Sequence, residues 1–145
     1  MNAESIFSLS SMIVIPGWLL LVILPRWKYS ATLISGLIIP ALLSFVYAWL
    51  IVSHMASSDG SFNSLAGVRE FFGNDFLLLA GWIHYLAFDL FIGSWEVRDA
   101  PRHGIHHLVV IPCLFLTFIL GPVGLLAYFA IRIGWKRQYL LDHAG

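Results

Sequence analysis

The chain has 145 residues, of which 59% are hydrophobic, 15% aromatic and only 11% charged, and its formal net charge is zero. A water-soluble domain is roughly a quarter charged, so an ordinary soluble enzyme is excluded and the membrane class is indicated. Zero net charge gives no long-range attraction for nucleic acid, and a single cysteine, Cys113, excludes an internal disulfide.

Four windows, residues 6–24, 31–52, 76–95 and 107–133, are apolar throughout most of their length. Each meets the requirement of about 20 residues for crossing a hydrocarbon core about 30 Å thick. The sequence therefore predicts an all-α fold, a single membrane domain over residues 1–145 built as a bundle of four transmembrane helices. The first window reads as a retained span and not a cleaved signal, because no basic residue precedes it, Glu4 has the wrong sign and no small-x-small site follows Leu24. Pro16-Gly17 and Pro40 predict kinks in the first two helices. Between these helices, Pro25, Arg26, Trp27, Lys28 and Tyr29 have the mixture of aromatic and basic residues that settles at headgroup level.

The long loop 53–75 contains a turn at Ser57-Ser58-Asp59-Gly60. After it, Leu65, Val68, Phe71 and Phe72 fall on one side of a helical pattern and Arg69 and Glu70 on the other. That pattern predicts a short helix lying on the bilayer surface. Asn74 and Asp75 then supply a cap and a negative charge where the third long helix begins.

Gly121-Pro122 interrupts the fourth window. If the chain turned back there, seven of the eight basic residues would share one side, whereas a through-going helix divides them four and four. Residues 107–120 would span only about 21 Å as a helix, short for a crossing. The reading kept is a fourth helix kinked at Gly121-Pro122, with the N-terminus outside.

The polar residues inside the third window carry the functional question. A charged aspartate at the centre of a membrane helix costs about 2.5–3.5 kcal/mol, so Asp89 must face the interior, hold a partner or stay protonated. Tyr85, Asp89 and Glu96 share one helical stripe, and His84, Phe88, Phe91 and Trp95 another. Antiparallel packing of the third and fourth helices places Asp89 near Ile111 and His84 level with Cys113 and Thr117. The expected polar track runs from Glu96, Asp99, Arg102 and His103 through His107 and Asp89 to His84 and Thr117. The bland reading of Asp89 is a hydrogen bond that locks two helices, worth about 1 kcal/mol. For metal, Asp89, Glu96, His103 and His107 are weak candidates without HExxH or E-x-x-H spacing, and no metal is expected. Haem between His84 and His107 is disfavoured because their depths differ by about 10 Å.

The run GWIHYLAFDLF at 81–91, followed by Asp99, Arg102, His107 and PCLFLTFILGPVGLL at 112–126, resembles the abscisic-acid-deficient-4-type family of small integral membrane proteins, which are neoxanthin-synthase-like. A weaker resemblance extends through SLAGVREFF at 64–72. Ser94 stands where the resemblance leads one to expect an arginine. In plant members the family is linked to forming neoxanthin, a xanthophyll, from violaxanthin; this chain is more similar to bacterial-type members, which implies a bacterial plasma membrane. The resemblance points to Trp82, His84, Asp89, Asp99, Arg102 and His107. Neoxanthin formation protonates an epoxide oxygen and removes a vinylic proton, giving an allene and an alcohol. The implied roles are Asp89 as acid and His84 or His107 as base, with Trp82, Tyr85, Thr117, Asp99 and Arg102 binding substrate. The expected activity is that of an isomerase acting on a polyene or epoxide lipid, with no cofactor and a carotenoid or other isoprenoid as ligand. The competing expectation is a non-catalytic scaffold or subunit that meets a membrane partner, or a second copy, through Ser35-Gly36, Gly81 and Gly121.

Overall fold

The computed structural model describes residues 2–136, which form helices and connecting turns. Helix α1 (Ala3–Ile23) opens on Asn2, whose side chain accepts from Ser5 N at 2.9 Å. It runs through Pro16 as one element. After the turn at Leu24–Tyr29, the segment Ser30–Ile38 is wound with i to i+5 bonds, Ile34 N reaching Tyr29 O at 2.8 Å. It passes directly into α2 (Ile39–His54), where Pro40 occupies the first turn, the position at which its missing N–H matters least.

The surface helix expected in the long loop is α3 (Leu65–Phe71), with Ser64 Oγ accepting from Gly67 N at 3.0 Å. Its Phe71 is buried and packs on Phe62 and Phe72. Helix α4 (Asp75–Arg102) is the longest element, 28 residues, or about 42 Å. Asn74 caps it, accepting from Phe76 N and Leu77 N, while Asp75 and Arg102 complement the two ends of its dipole.

Ring contacts fix the directions. Phe7 meets Trp82 at 5.5 Å and Trp18 lies against Gly93, so α1 and α4 run parallel. His54 stacks on Phe76 at 4.2 Å and Gly36 approaches Ser94, so α2 runs antiparallel to both. Helix α4 is the axis of the bundle, with Leu77, Ala80, Ile83 and Leu90 fully buried. These three, with the wound segment counted into the second, are the helices long and apolar enough to cross a membrane among the described residues.

The expected fourth crossing is corrected. Helix α5 (His107–Leu120) ends at Gly121, whose backbone (φ 49°, ψ −101°) is not helical, and α6 (Pro122–Lys136) starts at once. Helix α5 begins beside α1, with His107 Nε2 at 3.1 Å from Val22 O, and ascends until Tyr85 OH meets Phe118 O at 3.0 Å. Helix α6 then returns to the starting end, where Arg132 reaches Asp99. The 107–133 window is therefore a hairpin folded back at Gly121-Pro122, not a kinked helix. Hydropathy records that both arms are apolar, but it does not record their direction. Non-helical backbone at such depth is tolerated where protein covers it, and Gly121 is buried. Of the basic residues expected in the tail, Arg137 lies outside the described residues.

Candidate functional site

Heptad-like spacing along α4 sets Tyr85, Asp89, Glu96, Asp99 and His103 on one stripe, and the α5–α6 hairpin covers it. At the end where the hairpin begins and finishes, Asp99 Oδ2 accepts from Tyr128 OH at 2.7 Å and from Arg132 Nε at 2.9 Å. Arg132 Nη2 lies 3.0 Å from His103 Nε2, and His103 Nδ1 lies 3.0 Å from Asp99 O. Guanidinium can only donate. His103 Nε2 is thus the acceptor, and its proton sits on Nδ1, directed at Asp99. This cluster is a clamp holding α6 to α4.

Further along the stripe, Thr117 Oγ1 donates to Glu96 Oε1 at 3.1 Å, both residues being 0% exposed. Glu96 Oε2 has no hydrogen-bond partner among the described residues, and neither has Asp89 Oδ2. A buried polar atom left in that state costs about 1–3 kcal/mol, so two on one helix face demand a reason. The Asp89 carboxyl sits beside Tyr85 and against the tip of the hairpin. A Cβ on Gly121 would come within 3.0 Å of Asp89 Oδ1. On the arms, a Cβ on Gly124 would fall 2.1 Å from Thr117 N. Glycine is needed at both positions for the hairpin to close on the stripe.

An aromatic groove of about 920 Å³ opens at the opposite end, between α1, α3 and α4. Phe7, Phe72, Trp82 and Tyr85 line it, and Asn2, Glu4 and Asp75 form its mouth. Trp82 and Tyr85 are in ring contact at 5.3 Å, and Trp82 Nε1 donates to Ser11 Oγ at 3.2 Å. Through Tyr85 the inner wall of the groove adjoins Asp89.

The structure gathers only part of the expected track. Asp89 and Tyr85 are together, and Trp82 and Tyr85 share a groove. His84 is not with them: it is exposed on another face of α4, tilted against Phe88 at 4.5 Å and Tyr47 at 5.8 Å. Five residues separate it from Asp89, about 140° around the helix. His107 is held at the far end by the Val22 carbonyl. The expected triad of Asp89, His84 and His107 is therefore not assembled, and the weak metal set Asp89, Glu96, His103 and His107 does not converge. Among the described residues, no three His, Cys, Asp or Glu are grouped to hold a metal ion. Thr117 meets Glu96 and not His84, Asp99 is enclosed in the clamp, and Arg102 is exposed at the end of α4. Ser94 is fully buried, with its hydroxyl returned to Phe91 O at 2.7 Å.

Tyr128 and Arg132 were missed as site residues. The i, i+4 spacing of these two polar residues in an apolar stretch was the available signal, but it acquires meaning only once the chain turns back at Gly121.

The model of the family described as ABA DEFICIENT 4-like matches residues 5–128. The chain belongs to the ABA DEFICIENT 4-like family. That match takes in α1, the whole stripe on α4 and the hairpin as far as Tyr128 of the clamp. A relative of this family member is the protein ABA DEFICIENT 4, chloroplastic, of Arabidopsis thaliana, 25% identical over 147 residues. The alignment covers 94% of this chain and 64% of the plant protein, so the chain spans somewhat under two thirds of the relative's length. No solved structure matches the chain.

Proposed function

We propose that this family member is a multi-pass membrane protein that takes a carotenoid-like or other isoprenoid lipid into the aromatic groove and isomerises it by proton transfer at Asp89. The observation that carries this reading is the Asp89 carboxyl, buried next to the groove's inner residue Tyr85, with Oδ2 lacking a hydrogen-bond partner. An acidic residue inside a membrane helix, facing the protein interior, is functional by default. Flat rings such as Trp82, Tyr85 and Phe7 suit a polyene, whose conjugated plane they can stack against.

The chemistry needs one group, not three. Opening an epoxide to an alcohol and an allene adds one proton to oxygen and takes one from carbon, with no net change. A carboxylic acid can donate from one oxygen and accept at the other, so Asp89 can perform both transfers without His84 or His107. Tyr85, whose hydroxyl is already committed to Phe118 O, orients the substrate ring. The family to which the chain belongs, and the plant relative's place in it, support an isoprenoid substrate over other lipids.

The test is expression in a host that makes epoxy-carotenoids, with pigment analysis and an absorption spectrum of the purified protein. A new isomer that depends on the wild-type chain and disappears with Asp89→Asn supports the reading. Unchanged pigments together with a colourless purified protein overturn it.

A second reading has its own observation. The close approach of Gly121 to the Asp89 carboxyl fits a scaffold in which Asp89 supports the hairpin tip. In that case Asp89→Asn lowers stability, whereas a residue strained for function gains stability on replacement.

A further inference from the structure

A second cavity, of about 640 Å³, lies at the other end of the bundle, between the α1–α2 turn and the start of α5. Arg26, Trp27, His106 and His107 form its polar part, while Ile23 and Leu108 extend its apolar part and are each 67% exposed. Among the described residues no aspartate or glutamate lines it. Glu96 and Asp99 are close in sequence but sit on the stripe covered by the hairpin, whereas Val97, Ala100 and Pro101 face the cavity. We propose that this cavity binds an anionic phospholipid, with the phosphate at Arg26 and His106 and the acyl chains along Ile23 and Leu108.

Each part of that ligand has a counterpart. Arginine presents a planar fork suited to phosphate oxygens. His107 commits Nε2 to the Val22 carbonyl, so its contact with a ligand falls to Nδ1. Trp27 is 44% exposed and in ring contact with Tyr29, the arrangement expected of aromatic residues at headgroup level. The ends of α1 and α4 and the return of α6 bring Arg26, Lys28, Arg98, Arg102 and Arg132 to the same end of the bundle. Basic pockets between membrane helices are where anionic headgroups bind. A free phosphate would use the polar part alone and leave the apolar part unoccupied. The proposal does not depend on the chemistry at Asp89.

The experiment uses the full chain purified in a neutral detergent, with phosphatidylglycerol, phosphatidylcholine or inorganic phosphate added, and reads retained lipid by native mass spectrometry. The wild type is expected to hold phosphatidylglycerol about tenfold more tightly than phosphatidylcholine, whose quaternary ammonium cancels the charge of its phosphate and is repelled by the basic end of the bundle. Arg26→Gln combined with His106→Gln is expected to remove that preference. Arg102→Gln, at the same end but outside the cavity, is expected to keep it. Equal retention of both lipids by the wild type, or loss of the preference in Arg102→Gln to the same degree as in the double variant, overturns the site. Displacement of phosphatidylglycerol by millimolar inorganic phosphate overturns the lipid assignment. Should the double variant fail to fold, Arg26→Gln alone is read, and a preference it leaves unchanged counts against the proposal.

Discussion

Arg132 Nε lies 2.9 Å from Asp99 Oδ2, with the two side chains 1% and 3% exposed, so α6 is tied to α4 by an ion pair out of reach of water. Removing Arg132 takes the cationic partner from a buried Asp99 that keeps the Tyr128 hydroxyl and His103, at a cost of up to about 3–5 kcal/mol. Arg132→Met is therefore expected to destabilise the fold by that amount. Asp99→Leu with Arg132→Met is expected to lose less than the two single changes added together. Unfolding of the four proteins by denaturing detergent in bicelles completes the cycle; strict additivity would mean that the pair is not coupled.

The glycines of the hairpin rank by what surrounds them. At Gly121 an alanine meets both a backbone at φ 49° and the Asp89 carboxyl 3.0 Å away. A side chain that can move relieves the second, not the first, and the strained backbone costs about 1–3 kcal/mol. At Gly124 the obstacle is the backbone of Thr117 at 2.1 Å, which cannot move unless the arms of the hairpin part. A Cβ on Gly134 would meet nothing within 4 Å among the described residues, so alanine there is expected to be neutral or to stabilise by about 0.5–1 kcal/mol. The expected order of loss in thermal unfolding is Gly124→Ala, then Gly121→Ala, then Gly134→Ala. A harmless Gly124→Ala would contradict the close packing of α5 on α6.

The acid and one of the two bases that the resemblance implies, Asp89 and His84, are expected to separate on replacement. His84 is exposed and in ring contact with Tyr47 and Phe88, so His84→Phe is expected to change stability by no more than about 0.5 kcal/mol and to leave pigment products as they are. Asp89→Asn is expected to abolish the products. Equal losses from both, measured in the same host, would restore the imidazole to the mechanism.

Helical arithmetic explains which of these relationships could be read in advance. The stripe of Tyr85, Asp89 and Glu96 follows from residue spacing within one helix, as do the Asn74 cap and the Phe71 side of α3, because each depends on local geometry. The partners of the stripe do not. Tyr128 and Arg132 reach it only because the chain reverses at Gly121, and an apolar window of 27 residues gives the same hydropathy whether it runs straight or folds. Thr117 was expected level with His84 from a third span ending at residue 95; α4 runs on to Arg102, which shifts the register, and Thr117 bonds Glu96 instead. Pro40 was visible as a residue that departs from helix rules, whereas the wide winding of Ser30–Ile38 just before it has no comparable local signature.

The reversal also decides the side on which the loops lie. With three helices long and apolar enough to cross a membrane and a hairpin that returns to its starting end, the turn carrying Arg26 and Lys28, Arg98, Arg102 and Arg132 share one end and Arg69 lies at the other. Basic residues near span ends favour the cytoplasmic side, so the N-terminus and α3 are expected outside, an orientation the evenly divided four-span count could not give. The check uses a chain whose only native thiol, the buried Cys113, is replaced by serine. In intact bacteria, Arg69→Cys is expected to react with a membrane-impermeant maleimide and Arg102→Cys only after lysis. A through-going fourth helix leaves those two positions where they are but moves the end of α6 across. A thiol introduced at Gly134, exposed near the end of α6, is therefore the deciding position. Labelling there in intact cells would overturn the hairpin, and labelling only after lysis would place the clamp, the phosphate cavity and both arms on the inner side.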